Sequence, residues 1–152
     1  MQKRRYRKLE DSGVYIDSYE LAKVIYHAIF EFPKKDRVVM GDRLMSLAFA
    51  MVSDVAMAYR FMERRVEYID SFIGRYEQLK CGLRMAADLK MLKPKRQTAS
   101  YVCIERIDEG ISKWRKSAVS SVHAPTDSND VRGHDPLESR GGSGIIHTNS
   151  GS

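Results

Sequence analysis

Residues 83–116 read LRMAADLKMLKPKRQTASYVCIERIDEGISKWRK, and this stretch decides the fold. An apolar helical segment runs into a basic turn, Lys93-Pro94-Lys95-Arg96, and then into a second amphipathic segment ending on the only tryptophan, Trp114. Ile104, Ile107, Ile111, Trp114 and Ala118 recur at steps of three and four, which gathers them on one face of a helix. Thr98 or Ser100 is the expected cap of that helix. Its other face carries Glu105, Arg106, Glu109, Lys113 and Arg115, with Glu109 and Lys113 ordered for an i,i+4 ion pair. Lys113, Arg115 and Lys116 stand where cations suit a helix carboxyl end. The stretch predicts a helical hairpin.

Upstream, the pattern predicts three partners for the last helix. Asp17 and Glu20 have the spacing of a capping box, and Leu21, Val24, Ile25, Ala28 and Phe32 form one apolar face before Pro33 ends the helix. A second helix is expected from Gly41 and Asp42, with Leu44, Leu47, Ala48, Met51, Val55 and Ala58 on its buried side. Four methionines between Met40 and Met57 read as core filling. The segment 59–65, YRFMERR, has no Gly or Pro, yet ordinary helix lengths place a turn there. Val66, Ile69, Ile73, Tyr76, Leu83 and Ala87 make the stripe of a third helix, in which Gly74 and Gly82 are tolerated or permit close approach. The expected fold class is all-α, an antiparallel up-down-up-down four-helix bundle over residues 15–120. It lies between a flexible basic arm, residues 1–14, and a disordered tail, residues 121–152, whose Pro, Asp, Ser, Asn and Gly cannot bury enough apolar area to order themselves.

Charge narrows the function classes. Residues 1–118 carry 24 Lys+Arg against 16 Asp+Glu, whereas residues 119–152 carry 2 against 4. Clustered cations release counterions from a phosphate backbone, so a polyanionic partner, RNA or DNA, is expected. The candidate contact residues are Arg4, Arg5 and Arg7 in the arm, Arg60, Arg64 and Arg65 at the second turn, and Arg75 in the third helix. Lys93, Lys95 and Arg96 before the last helix, and Lys113, Arg115 and Lys116 at its end, complete the set. Helix parity places the arm, the 60–65 turn and residues 113–116 at one end of the bundle, and Lys93–Arg96 with Lys34 and Lys35 at the other.

The longest uncharged apolar stretch, residues 44–53, falls short of the roughly 20 residues a membrane span needs. The basic amino end is followed by Glu10 and Asp11 instead of an apolar run, so a cytoplasmic location and no membrane partner are expected. Cys81 and Cys103 fall inside helical patterns and read as small core residues. No cofactor or metal is expected, because His123, His134 and His147 lie far apart in the tail and His27 stands alone. No phosphate-loop, nucleotide-binding or nucleophile-and-base pattern is present, so the chain is not expected to be an enzyme. An RNA-cleaving bundle of the HEPN type would pair an arginine with a histidine near the last helix. Arg115 and His123 have seven residues between them, more than that motif allows.

Residues 19–44, YELAKVIYHAIFEFPKKDRVVMGDRL, together with residues 83–117, resemble the four-helix-bundle family of the ribosomal intervening-sequence protein. The likeness covers roughly residues 15–118. Its carriers are the Phe32-Pro33 turn, the Gly41-Asp42 pair, the Leu83-Arg84 helix, the short basic turn, and a last helix ending on Trp114. The intervening-sequence branch usually reads Pro-x-Asn-Ile-Ala-Glu-Gly near the end of its second helix, where this chain has Val52-Ser53-Asp54-Val55-Ala56-Met57-Ala58. Residues 83–117 resemble the carboxyl half of the accessory variability (Avd) branch of diversity-generating retroelements, and that departure points the same way. That resemblance implies a non-enzymatic homopentamer that binds template RNA or cDNA and assists a reverse transcriptase in mutagenic retrohoming. The intervening-sequence branch would imply a ribosome-associated or general interaction bundle instead.

Overall fold

The computed structural model describes residues 9–122, and among these the fold is all-α, with four long helices and no strand. They are α1 (Gly13–Glu31), α2 (Asp42–Arg60), α3 (Arg65–Asp88) and α4 (Pro94–Val122). Arg4, Arg5 and Arg7, and the tail beyond Val122 with His123, lie outside the described residues.

α1 begins earlier than the capping-box pattern indicates. Ser12 is extended, and its Oγ accepts the Tyr15 N–H at 3.3 Å, so Ser12 and not Asp17 is the cap. Asp17 and Glu20 fall inside the helix, where Glu20 pairs with Lys23 at 2.7 Å. The extra turn is held down by Val14, buried beside Gly110 of α4. Phe32 is extended, as a residue before proline favours, and α1 stops there. Arg37 donates from Nε to the Phe32 carbonyl at 3.1 Å and from Nη2 to the Phe30 carbonyl at 2.9 Å, covering acceptors at the helix end.

α2 starts at Asp42, where the Gly41-Asp42 pair places it, but neither residue caps it. The chain is already helical through Lys34–Asp36 and a π-helical turn, Arg37–Gly41, before α2. Gly41 has helical angles and is buried, and a Cβ on it would stand 2.8 Å from Ile29 Cγ2. Its role is close packing against α1. The turn expected within residues 59–65 is present: Phe61 leaves the helix, and Met62–Arg64 forms one 3₁₀ turn before α3.

The hairpin turn lies upstream of the basic tetrad. Lys90 has φ 60°, its N–H bonds the Ala87 carbonyl, and the Met91 N–H bonds the Ala86 carbonyl. That pairing is a Schellman stop with lysine in the left-handed position. The Gln97 N–H reaches the Lys93 carbonyl at 2.9 Å, so Pro94 opens α4, where proline's missing N–H costs nothing. Lys95 and Arg96 therefore belong to the first helical turn. Thr98 and Ser100 are not caps, since their hydroxyls donate back to the Pro94 and Gln97 carbonyls.

The core draws on all four helices: Leu21, Ile25 and Phe32; Leu44, Met51 and Val55; Ile69, Phe72, Tyr76 and Leu79; and Cys103, Ile107 and Trp114. Neighbouring helices meet with their numbering opposed. Leu44 lies against Gly82 and Asp54 bonds Arg75 across α2 and α3. Val14 abuts Gly110 and Glu31 bonds Arg96 across α1 and α4, while Asp70 bonds Arg115 and Tyr76 bonds the Ile104 carbonyl across α3 and α4. No described helix is long and apolar enough to cross a membrane.

Candidate nucleic-acid interface

The basic side chains fall into three places, and their partners differ. Where α1 ends and α4 begins, Glu31 accepts from Arg96 Nε at 2.5 Å and lies 3.5 Å from Lys93 Nζ. The hydrogen bond from Arg96 holds the Glu31 carboxyl below its ordinary range. This pair offsets the mismatch of two cations in the first turn of α4, where the helix dipole is positive. Lys95 alone of the three has no carboxylate within 4.0 Å among the described residues.

Midway along the bundle, Arg75 Nη1 donates to both Asp54 oxygens, at 2.8 and 2.9 Å, and reaches the Ala50 carbonyl at 3.3 Å. Asp54 is buried, and burial pushes its carboxyl above the ordinary range in spite of Arg75. Arg75 thus joins α2 to α3.

The third place joins two sequence-distant clusters. Tyr59 stacks on Trp114 with ring centroids 6.5 Å apart, and Phe72 meets Trp114 edge to face at 5.6 Å. These contacts bring the 60–65 turn beside the last turns of α4. Arg65 Cζ lies 5.6 Å over the Tyr59 ring, Arg60 Cζ 5.9 Å over Phe61, and Arg64 Cζ 5.2 Å over Tyr68. Arg64 also bonds Glu67 at 3.0 Å, and Arg115 bonds Asp70 at 2.9 and 3.4 Å, both exposed pairs that solvent screens. Arg60, Arg65, Lys113 and Lys116 have no carboxylate within 4.0 Å among the described residues. The Glu109–Lys113 pair expected from spacing does not form at that distance.

An arginine over an aromatic face uses its plane for the ring and keeps its N–H edges for an oxyanion. This end therefore offers cations free to meet phosphates, with Arg60 and Arg65 held over rings, while at the opposite end Lys34, Lys35 and Lys95 are exposed and likewise have no carboxylate within 4.0 Å among the described residues.

Two features were given no contact role from the sequence. Arg106, one turn before Gly110, faces the same end as Lys113 and Asp17. Ile16, Tyr19, Tyr26 and Phe30 are exposed along α1, at helical spacing with Lys23 and opposite its buried face. Their steps of three and four are as regular as those of the core stripe, so a second count along the same helix would have found them. Comparison with family models and with curated proteins finds no match for this chain.

Proposed function

We propose that the chain is a non-enzymatic, nucleic-acid-binding accessory subunit that works with a reverse transcriptase, as the likeness of residues 83–117 to the Avd branch implies. In this reading the four helices run up-down-up-down between a flexible arm and tail, in keeping with the opposed numbering of Asp54 with Arg75 and Val14 with Gly110. The observation that carries the reading is the gathering of Arg60, Arg65, Lys113 and Lys116, uncommitted to carboxylates, at one end of the molecule. The basic arm enters α1 at this same end, since Ser12 and Trp114 line one cavity. Phosphate contacts of this kind carry affinity without sequence preference, which suits a subunit that handles template RNA and cDNA alike.

A homopentameric ring is part of the proposal, and the exposed stripe of Ile16, Tyr19, Tyr26 and Phe30 supplies apolar surface for contact between copies. Native mass spectrometry and RNA binding at two salt concentrations test the reading together. A five-subunit mass and an affinity that falls steeply with salt are expected. A monomer that binds neither RNA nor DNA contradicts it, and failure to co-purify with a reverse transcriptase leaves no ground for the retroelement role.

A further inference from the structure

At the end where α1 begins, a cavity of about 550 Å³ opens between the start of α1, the Tyr59–Arg65 turn and the last turns of α4. Its cations are Arg65, Arg106 and Lys113, its carboxylates Asp17 and Glu109, and Trp114 forms part of its wall. No carboxylate comes within 4.0 Å of any of the three cations among the described residues, although Asp17 and Glu109 share the cavity with them. Two donors on lining side chains, Arg65 Nε and Trp114 Nε1, are buried without any hydrogen-bond partner. Trp114 is only 7% exposed, and native interiors leave few such N–H groups unpaired.

The backbone adds donors of its own. Ser12 Oγ takes the Tyr15 N–H, so the first-turn amides of Gly13 and Val14, both on the cavity, have no hydrogen-bond acceptor among the described residues. They stand at the positive end of a 19-residue helix.

We infer that this cavity is a phosphate-binding site, with Arg106, Lys113 and the first-turn amides of α1 as donors and Arg65 positioned over Tyr59 as the third cation. This deepens the nucleic-acid reading by assigning a defined seat to one phosphate, and it rests on that reading for the phosphate's source in a strand. The same chemistry accommodates free phosphate or a mononucleotide.

Trp114 is the only tryptophan, so its fluorescence reports the cavity directly. The full chain is titrated with inorganic phosphate, with a mononucleotide and with a short single-stranded oligonucleotide, while a gel shift follows strand binding separately. A saturable change in Trp114 emission with at least one probe is expected, weakened about tenfold or more by Arg106→Gln with Lys113→Gln, and unaffected by Lys95→Gln at the opposite end. Both substituted residues are exposed, and circular dichroism verifies the fold. A response to phosphate or mononucleotide alone identifies a small-molecule source, and one to the oligonucleotide alone identifies a strand. No saturable change with any probe, or a change equal in the double variant, overturns the site. If the gel shift persists in that event, strand binding stands and only the cavity inference is lost.

Discussion

Asp54 and Arg75 show how single residues settle the interior. A carboxylate inside an apolar seam is costly unless paired, and Arg75 pairs it with two oxygens at once. Removing a partner of a fully buried pair costs about 3–5 kcal/mol, but the Arg75 side chain is 41% exposed, so Arg75→Ala should cost nearer 2 kcal/mol at neutral pH. The pH dependence follows from the direction of the shift. A carboxyl that binds its proton more readily folded than unfolded favours the folded state increasingly as pH falls through its folded pKa. Arg75→Ala removes the charge opposing the burial effect on Asp54, so part of the lost stability should return when the pH is lowered from neutral to near the ordinary carboxylate value of 3.8. Urea denaturation of the variant at both pH values measures this, and a loss independent of pH would contradict it. The helical glycines divide in the same physical way. Gly74 is exposed with open space where a Cβ would stand, so Gly74→Ala should stabilise by up to about 1 kcal/mol. Gly41→Ala should destabilise, because its Cβ meets the Ile29 side chain at 2.8 Å in a buried contact. Thermal melts of the two variants should shift in opposite directions.

At the scale of the helices, the stop of α3 is the clearest departure from local preference. Lysine in the left-handed region carries a strain of about 1–2 kcal/mol that glycine lacks. Lys90→Gly should therefore raise stability by about 1 kcal/mol and leave the hairpin unchanged, as judged by melting temperature and circular dichroism. The same position explains what was legible in the sequence. Helix existence followed from apolar spacing, and all four long helices appear where Leu21, Leu44, Ile69 and Ile107 recur. Ends marked by Pro33 and by the 59–65 turn also followed, whereas caps did not, because the residues with capping reputations serve elsewhere: Asp17 sits mid-helix, Gly41 packs on Ile29, and the stop of α3 carries no glycine. The face of α3 was also centred off its mark. Ile69, Phe72, Tyr76, Leu79, Leu83 and Ala86 are buried, while Val66, Ile73 and Ala87 only flank them. A helix packed between α2 and α4 is apolar over a wide arc, and periodicity alone leaves the centre of that arc open.

For the whole molecule, the distribution of charge matters more than its total. Residues 9–122 hold 19 Lys+Arg against 16 Asp+Glu, so five of the cations counted in residues 1–118 belong to the first eight residues. Several of the rest, Arg75, Arg96 and Lys93 among them, face carboxylates. Sequence spacing could rank none of this, since the partners Asp54–Arg75 and Glu31–Arg96 are distant along the chain. The fold gathers Arg60, Arg65, Lys113 and Lys116, uncommitted to carboxylates, at the Tyr59–Trp114 end, and the central claim is that phosphates bind there. The most direct test is the salt dependence of single-stranded RNA affinity for the full chain and for the triple variant Arg60→Gln, Lys113→Gln, Lys116→Gln. Each phosphate contact on a single strand contributes about 0.7 to the slope of log affinity against log salt, so losing three should flatten the slope by about 2. An unchanged slope and affinity in a folded triple variant would contradict the account.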